Sequence, residues 1–161
     1  MTNAAVVAKA TFLIRKPANE VFNAFVDPQM LTRFWLSHAS QPLALGQTAH
    51  WEFMVPGASV DTYVTAMEPN ERIDFAWSDG STVSLRFESI CEGTIVRVEN
   101  AGFQGSPEEI VENALEATQG FTIVLCDLKT LLEQGQSMNL VRDKAWQIER
   151  ATAGDKVRAS Q

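Results

Sequence analysis

Few side chains in this chain are equipped for chemistry. The 161 residues contain two histidines, His38 and His50, and two cysteines, Cys91 and Cys126. Neither histidine has a serine, cysteine or acid at triad spacing, and no His, Cys, Asp or Glu grouping has metal-ligand spacing. His50 runs out of phase with Trp51 and Phe53, which assigns it to the solvent side of a strand. Cys126 has Lys129 as its one basic neighbour at helical spacing, so it reads as an inert core thiol. The other polar candidates are Glu52, Tyr63, Arg86 and Asn100, all within strand-like stretches. A cyclase-type enzyme would need such groups inside a cavity, to orient a keto or phenolic substrate and move protons. Period-two alternation sends Glu52, Tyr63 and Arg86 toward solvent unless a bulge shifts the register. Asn100 differs, because it falls in phase with Val96 and Val98 and could anchor a ligand in an apolar pocket. These patterns assign no catalytic residue, no metal ligand and no cofactor.

The elements that must position these groups can be read from periodicity. Residues 8–15 form a first strand, and Pro17 turns the chain into a helix with Val21, Phe22 and Phe25 on one side. Asp27-Pro28 ends it, and Met30 to Leu36 gives a second short helix carrying Leu31, Phe34 and Trp35. From Gly46 the period changes to two. Strands follow around Trp51 and Phe53, from Ser59 to Glu68, around Ile73, Phe75 and Trp77, around Val83, Leu85 and Phe87, and around Thr94, Val96 and Val98. Asp79-Gly80 between two of them predicts a tight type I′ hairpin, and Glu92-Gly93 predicts another turn. The result is an antiparallel meander, with the first strand available at one edge.

Ser106, Pro107 and Glu109 then start a long helix, as N-cap, first helical residue and capping-box acid. Ile110, Ala114, Ala117, Phe121, Leu125, Leu128 and Leu132 recur on one stripe, which is expected to face the sheet. Gly120 within it implies either close approach to the sheet or room for a ligand. Past Gly135, Met138, Val141, Ala145 and Ile148 predict a short helix with Trp146 beside it, and no structure is expected from about Thr152. The domain is thus placed at 1–135, with 136–161 as a partly helical extension.

One domain suits 17.8 kDa. The net charge of -7 is uneven, with 8 basic and 17 acidic residues in 1–134 but 5 and 3 in 135–161. An acidic body argues against nucleic acid or an anionic membrane as partner. Unpaired cysteines, an apolar start at Ala4 to Ile14 that lacks a signal peptide's basic region, and the absence of any run of about 20 apolar residues predict a cytoplasmic protein without a membrane span.

An α+β fold follows, in which a curved sheet of about six antiparallel strands wraps one long C-terminal helix. Such a sheet leaves a groove beneath the helix. Trp35, Trp51, Phe53, Phe75 and Trp77 are candidate ligand contacts there. So are Phe87, Phe103 and Phe121, with Tyr63 and Asn100 as polar partners. The same rings would also serve as a core.

In order and spacing, the chain resembles the activator of heat-shock protein 90 ATPase homologue family of the START-like, or SRPBCC, superfamily, which includes polyketide cyclases and the birch-pollen-allergen fold. The matching pieces are Pro17-Ala18 with Val21-Phe22, Asp27-Pro28 followed by Phe34-Trp35, and Glu68-Pro69-Asn70-Glu71-Arg72-Ile73 leading to Trp77. Gly93-Thr94, Gly102-Phe103 and Gly120-Phe121 with Leu128-Lys129 complete them. The resemblance spans about residues 8–135 and implies a helix-grip fold enclosing an apolar cavity. The family usually shows Trp where this chain has Phe121. The leading expectation is a binder of a small hydrophobic or aromatic molecule. A chaperone partner role toward heat-shock protein 90, a cyclase or aromatase-like enzyme and a homodimer built on Trp146 and the tail are the alternatives.

Overall fold

A computed structural model describes residues 5–159, with side chains as far as residue 151. β1 (Ala8–Ile14) leads into α1 (Ala18–Val26) and α2 (Pro28–Phe34). Six further strands follow: β2 (Leu36–Ala39), β3 (Thr48–Phe53), β4 (Ser59–Glu68), β5 (Arg72–Trp77), β6 (Thr82–Ile90) and β7 (Gly93–Ala101). Two helices close the chain, α3 (Pro107–Gln134) and α4 (Leu140–Ala159). The strands form one antiparallel sheet in the order β1-β7-β6-β5-β4-β3-β2. The meander and its β1 edge are as expected, and the helix-grip architecture is present.

The seventh strand, β2, was not legible. Asp27 both ends α1 and caps α2, its side chain accepting from the Gln29 backbone N–H at 2.9 Å. The second helix therefore starts at Pro28, stops at Phe34, and frees Leu36–Ala39 to pair with β3. A four-residue strand leaves too short a period to see in sequence.

The β5–β6 turn also differs from expectation. Trp77 and Ser81 close a loop of three residues, Ser78, Asp79 and Gly80, and of these only Gly80 has positive φ. A type I′ turn needs positive φ at both central positions. Here the Asp79 carboxylate instead accepts from the Ser81 N–H at 2.8 Å and the Ser81 hydroxyl at 2.7 Å, which stabilises the wider turn.

Ser106 caps α3 as expected, accepting from the Glu109 N–H at 3.2 Å while its hydroxyl donates to the Glu109 carboxylate at 3.1 Å. At about 1.5 Å per residue the 28-residue helix is roughly 42 Å long. Its second half carries the buried stripe, with Phe121, Val124, Leu125, Leu128, Leu131 and Leu132 all at most 9% exposed. In the first half Ala114 is buried, but Ile110 is half-exposed and Val111 and Leu115 are exposed. Beyond Gly135, the chain folds back into α4, which packs on α3. Helix continues to Ala159, past Thr152, where no structure was expected.

Candidate functional site

Ring contacts divide the inner face of the sheet into two ends. At one, Phe25 meets Phe34 at 5.6 Å and Phe87 at 5.8 Å, and Phe22 meets Phe87 at 5.4 Å, so α1 seals that end. Trp51 and Phe75 stand between the ends, at most 1% exposed and 5.4 Å apart. The Trp51 indole N–H finds no hydrogen-bond partner among the described residues. At the other end, Trp35, Phe53, Trp77 and Phe121 form a box. Trp77 stacks on Phe121 at 6.0 Å and 9°, and Phe53 meets Trp77 edge-on at 6.0 Å. Trp35 meets Phe121 at 5.8 Å and reaches back to Trp51 at 5.1 Å, joining the box to the core.

Beside the box lies a cavity of about 310 Å³. β5 supplies Trp77, whose indole N–H donates to the Thr62 hydroxyl at 3.1 Å and is thereby fixed in orientation. β7 supplies Asn100, 2% exposed, whose amide nitrogen donates to the Thr82 carbonyl at 2.9 Å. Helix α3 supplies Ala117, Gly120, Phe121 and Val124, and α4 closes the opposite side with Val141, Lys144, Ala145 and Ile148. A Cβ added at Gly120 would meet nothing within 4 Å. Gly120 is also solvent-exposed, so close approach to the sheet is not the reason for this glycine.

Of the ten candidate contacts, five line this cavity: Trp35, Phe53, Trp77, Asn100 and Phe121. Trp51, Phe75 and Phe87 are core residues outside its walls, and Phe103 is half-buried beyond β7 without reaching it. Tyr63 requires correction. It is 46% exposed on the outer face, because the β4 irregularity falls after it, between Val64 and Ala66. Arg86 is likewise on the outer face, donating to Asp74 at 2.6 Å. Arg72 donates to the same carboxylate at 3.0 Å. Burial raises the Asp74 pKa, but hydrogen bonds from Arg86, Arg72 and Ser84 outweigh it and hold the carboxyl below its ordinary value.

Glu52 and both histidines are exposed, and His50 faces Asp61 on the neighbouring strand at 2.8 Å. Burial raises the Cys126 thiol pKa more than Lys129 lowers it, as an inert thiol requires. No group of three or more potential metal ligands occurs among the described residues.

Sequence reasoning did not place the α4 wall. The spacing of Val141, Ala145 and Ile148 identified an apolar face, but periodicity does not say what a face covers. A buried acid holds α4 in place. Asp127, 1% exposed on α3, accepts from the Ser137 hydroxyl at 2.8 Å and the Met138 N–H at 3.2 Å, just before α4 begins.

Residues 15–133 match the family described as Activator of Hsp90 ATPase homolog 1-like protein. The chain belongs to that family. Among solved structures, a protein from Staphylococcus saprophyticus is 26% identical with a TM-score of 0.72, the match covering 82% of this chain and 95% of that one. The Aha1 dimer from Colwellia psychrerythraea shares 19% identity with a TM-score of 0.72, over 82% of this chain and 99% of that one. A polyketide-cyclase-like protein from Corynebacterium glutamicum shares 17% identity with a TM-score of 0.58, over 82% and 94%. The latter two likenesses show the fold alone. No curated protein sequence matches the chain. This Activator of Hsp90 ATPase homolog 1-like chain is a START-like, helix-grip domain, and its family match ends at Glu133, so α4 lies outside it. None of its described helices is long and apolar enough to cross a membrane.

Proposed function

We propose that the protein binds a small apolar or aromatic molecule in the cavity between β3, β5, α3 and α4. The observation that carries this reading is the cavity left beside Trp35, Phe53, Trp77 and Phe121, with the solvent-exposed Gly120 in its lining. A well-filled core leaves few voids larger than a water molecule. The cavity of about 310 Å³ therefore has the size and lining of a ligand site.

Binding is favoured over catalysis because Tyr63 and Arg86 stand on the outer face. Asn100, the cavity's buried polar side chain, is an amide and does not exchange protons near neutral pH. A heat-shock protein 90-type partner and self-association are suggested by the names of the family and of the Colwellia relative, and no group at the cavity supports either.

Titration with the neutral fluorophore N-phenyl-1-naphthylamine tests the proposal. Enhanced emission from the parent chain, abolished by Gly120→Trp, is expected, since an indole at that position occupies the open space. Emission unchanged by Gly120→Trp would remove the cavity as the site. Native mass spectrometry of the purified protein, with extraction of any co-purified molecule, would then name the natural ligand's class.

A further inference from the structure

We infer that the cavity selects amphipathic anions: an apolar or aromatic body lies against Trp35, Trp77 and Phe121, and an acidic group is held by Lys144. This rests on the reading of the cavity as a ligand site. Lys144 lies half-buried in its wall, yet among the described residues no carboxylate comes within ion-pairing distance of it. Of the other lysines with described side chains, Lys9 pairs with Glu99 and Lys129 with Glu133, while Lys16, away from this cavity, has no ion pair among the described residues. A lysine in a largely apolar wall, with no acidic partner among the described residues, offers its ammonium to a bound carboxylate, sulfate or phosphate.

The local charge decides the sign of the ligand. Four aromatic rings could otherwise receive a cation on their faces, but a lysine in the same wall opposes one. The whole chain carries -7, which repels anions generally. An anion retained here is therefore retained by a specific group. Lys144 also sits on an anchored element, since Asp127 fixes the residues immediately before α4. Because α4 follows the family match at 15–133, the anion preference is a property of this chain's own C-terminal helix.

A pair of fluorophores tests the inference on the full chain: 8-anilinonaphthalene-1-sulfonate, and N-phenyl-1-naphthylamine, which is the same body without the sulfonate. In the parent chain both should bind. Lys144→Gln should weaken the sulfonated dye about fivefold, in keeping with a part-exposed ion pair, and leave the neutral dye unchanged. Lys144→Glu should weaken the sulfonated dye further, and Lys144→Arg should retain it. Equal loss of both dyes in Lys144→Gln, or no loss of the sulfonated one, overturns the anion assignment while leaving the cavity reading intact. Failure of the neutral dye to bind the parent chain, or its persistence in Gly120→Trp, overturns the cavity reading itself and this inference with it.

Discussion

The two ends of the inner sheet face are made of the same residue types and do different things. Around Phe25, Phe34 and Phe87, rings meet rings and the side chains are at most 5% exposed. Around Phe53, Trp77 and Phe121, rings also meet, but a cavity of about 310 Å³ remains beside them. Aromatic content therefore does not distinguish core from site. What differs is the covering element. α1 presents Phe22 and Phe25 to the first end, whereas α3 and α4 present Ala117, Gly120 and Ala145 to the second. Small residues opposite large rings leave volume that no other described residue fills.

The comparison can be broken most sharply by truncating one ring at each end. Phe25→Ala should lower stability by about 3–5 kcal/mol, the usual cost of removing a fully enclosed ring. Trp77→Ala, half-buried at the cavity, should cost well under that in the same denaturant titration. Equal losses would mean that the second end is core as well. Phe121→Ala should fall between, near about 2–3 kcal/mol, because the ring is 7% exposed but already borders open space.

Filling should do the reverse of truncation. Gly120→Trp should abolish binding of the neutral fluorophore while shifting stability by no more than about 1 kcal/mol, since it replaces a helical glycine in open space. A large destabilisation would show that the space is smaller than it stands.

The smallest expected effect concerns the helix end nearest the filled core. Glu133 accepts from the Arg15 N–H at 3.0 Å and from the Lys129 ammonium at 2.6 Å. Burial raises its pKa, but those two bonds and the charges of Lys129 and Arg15 outweigh it, so the carboxyl titrates below its unfolded value. A lowered folded pKa contributes stability that is present above the unfolded carboxylate range and lost as pH falls through the folded value. Glu133→Gln should therefore be less stable than the parent chain at neutral pH, with the gap closing on acidification below about pH 4. Unfolding curves at pH 7 and pH 3.5 measure it, and a gap that does not depend on pH would mean that packing, not charge, makes the difference.

Much of the fold was legible because its signals are local. The strand from Ser59 to Glu68 and the start of α3 at Ser106-Pro107 agree with the sequence reading to the residue. The Asp79-Gly80 turn was placed correctly but typed wrongly, because the Asp79 side chain competes for the Ser81 N–H and stabilises three loop residues instead of two. Of the site, Trp35, Phe53, Trp77, Asn100 and Phe121 could be named in advance, yet not separated from Trp51, Phe75 and Phe87. All eight lie on inward-facing positions, and inwardness is a property of one element, while cavity or core is a property of what faces it.

By itself, the sequence determined the antiparallel meander, the long capped helix and which strand residues point inward, since periods of two and 3.6 and turn chemistry act between near neighbours. Tertiary structure alone decided that α4 folds back to form a wall, that Lys144 enters it, and that Gly120 opens onto space. Those outcomes depend on contacts between segments far apart in the chain, such as those of α4 with α2.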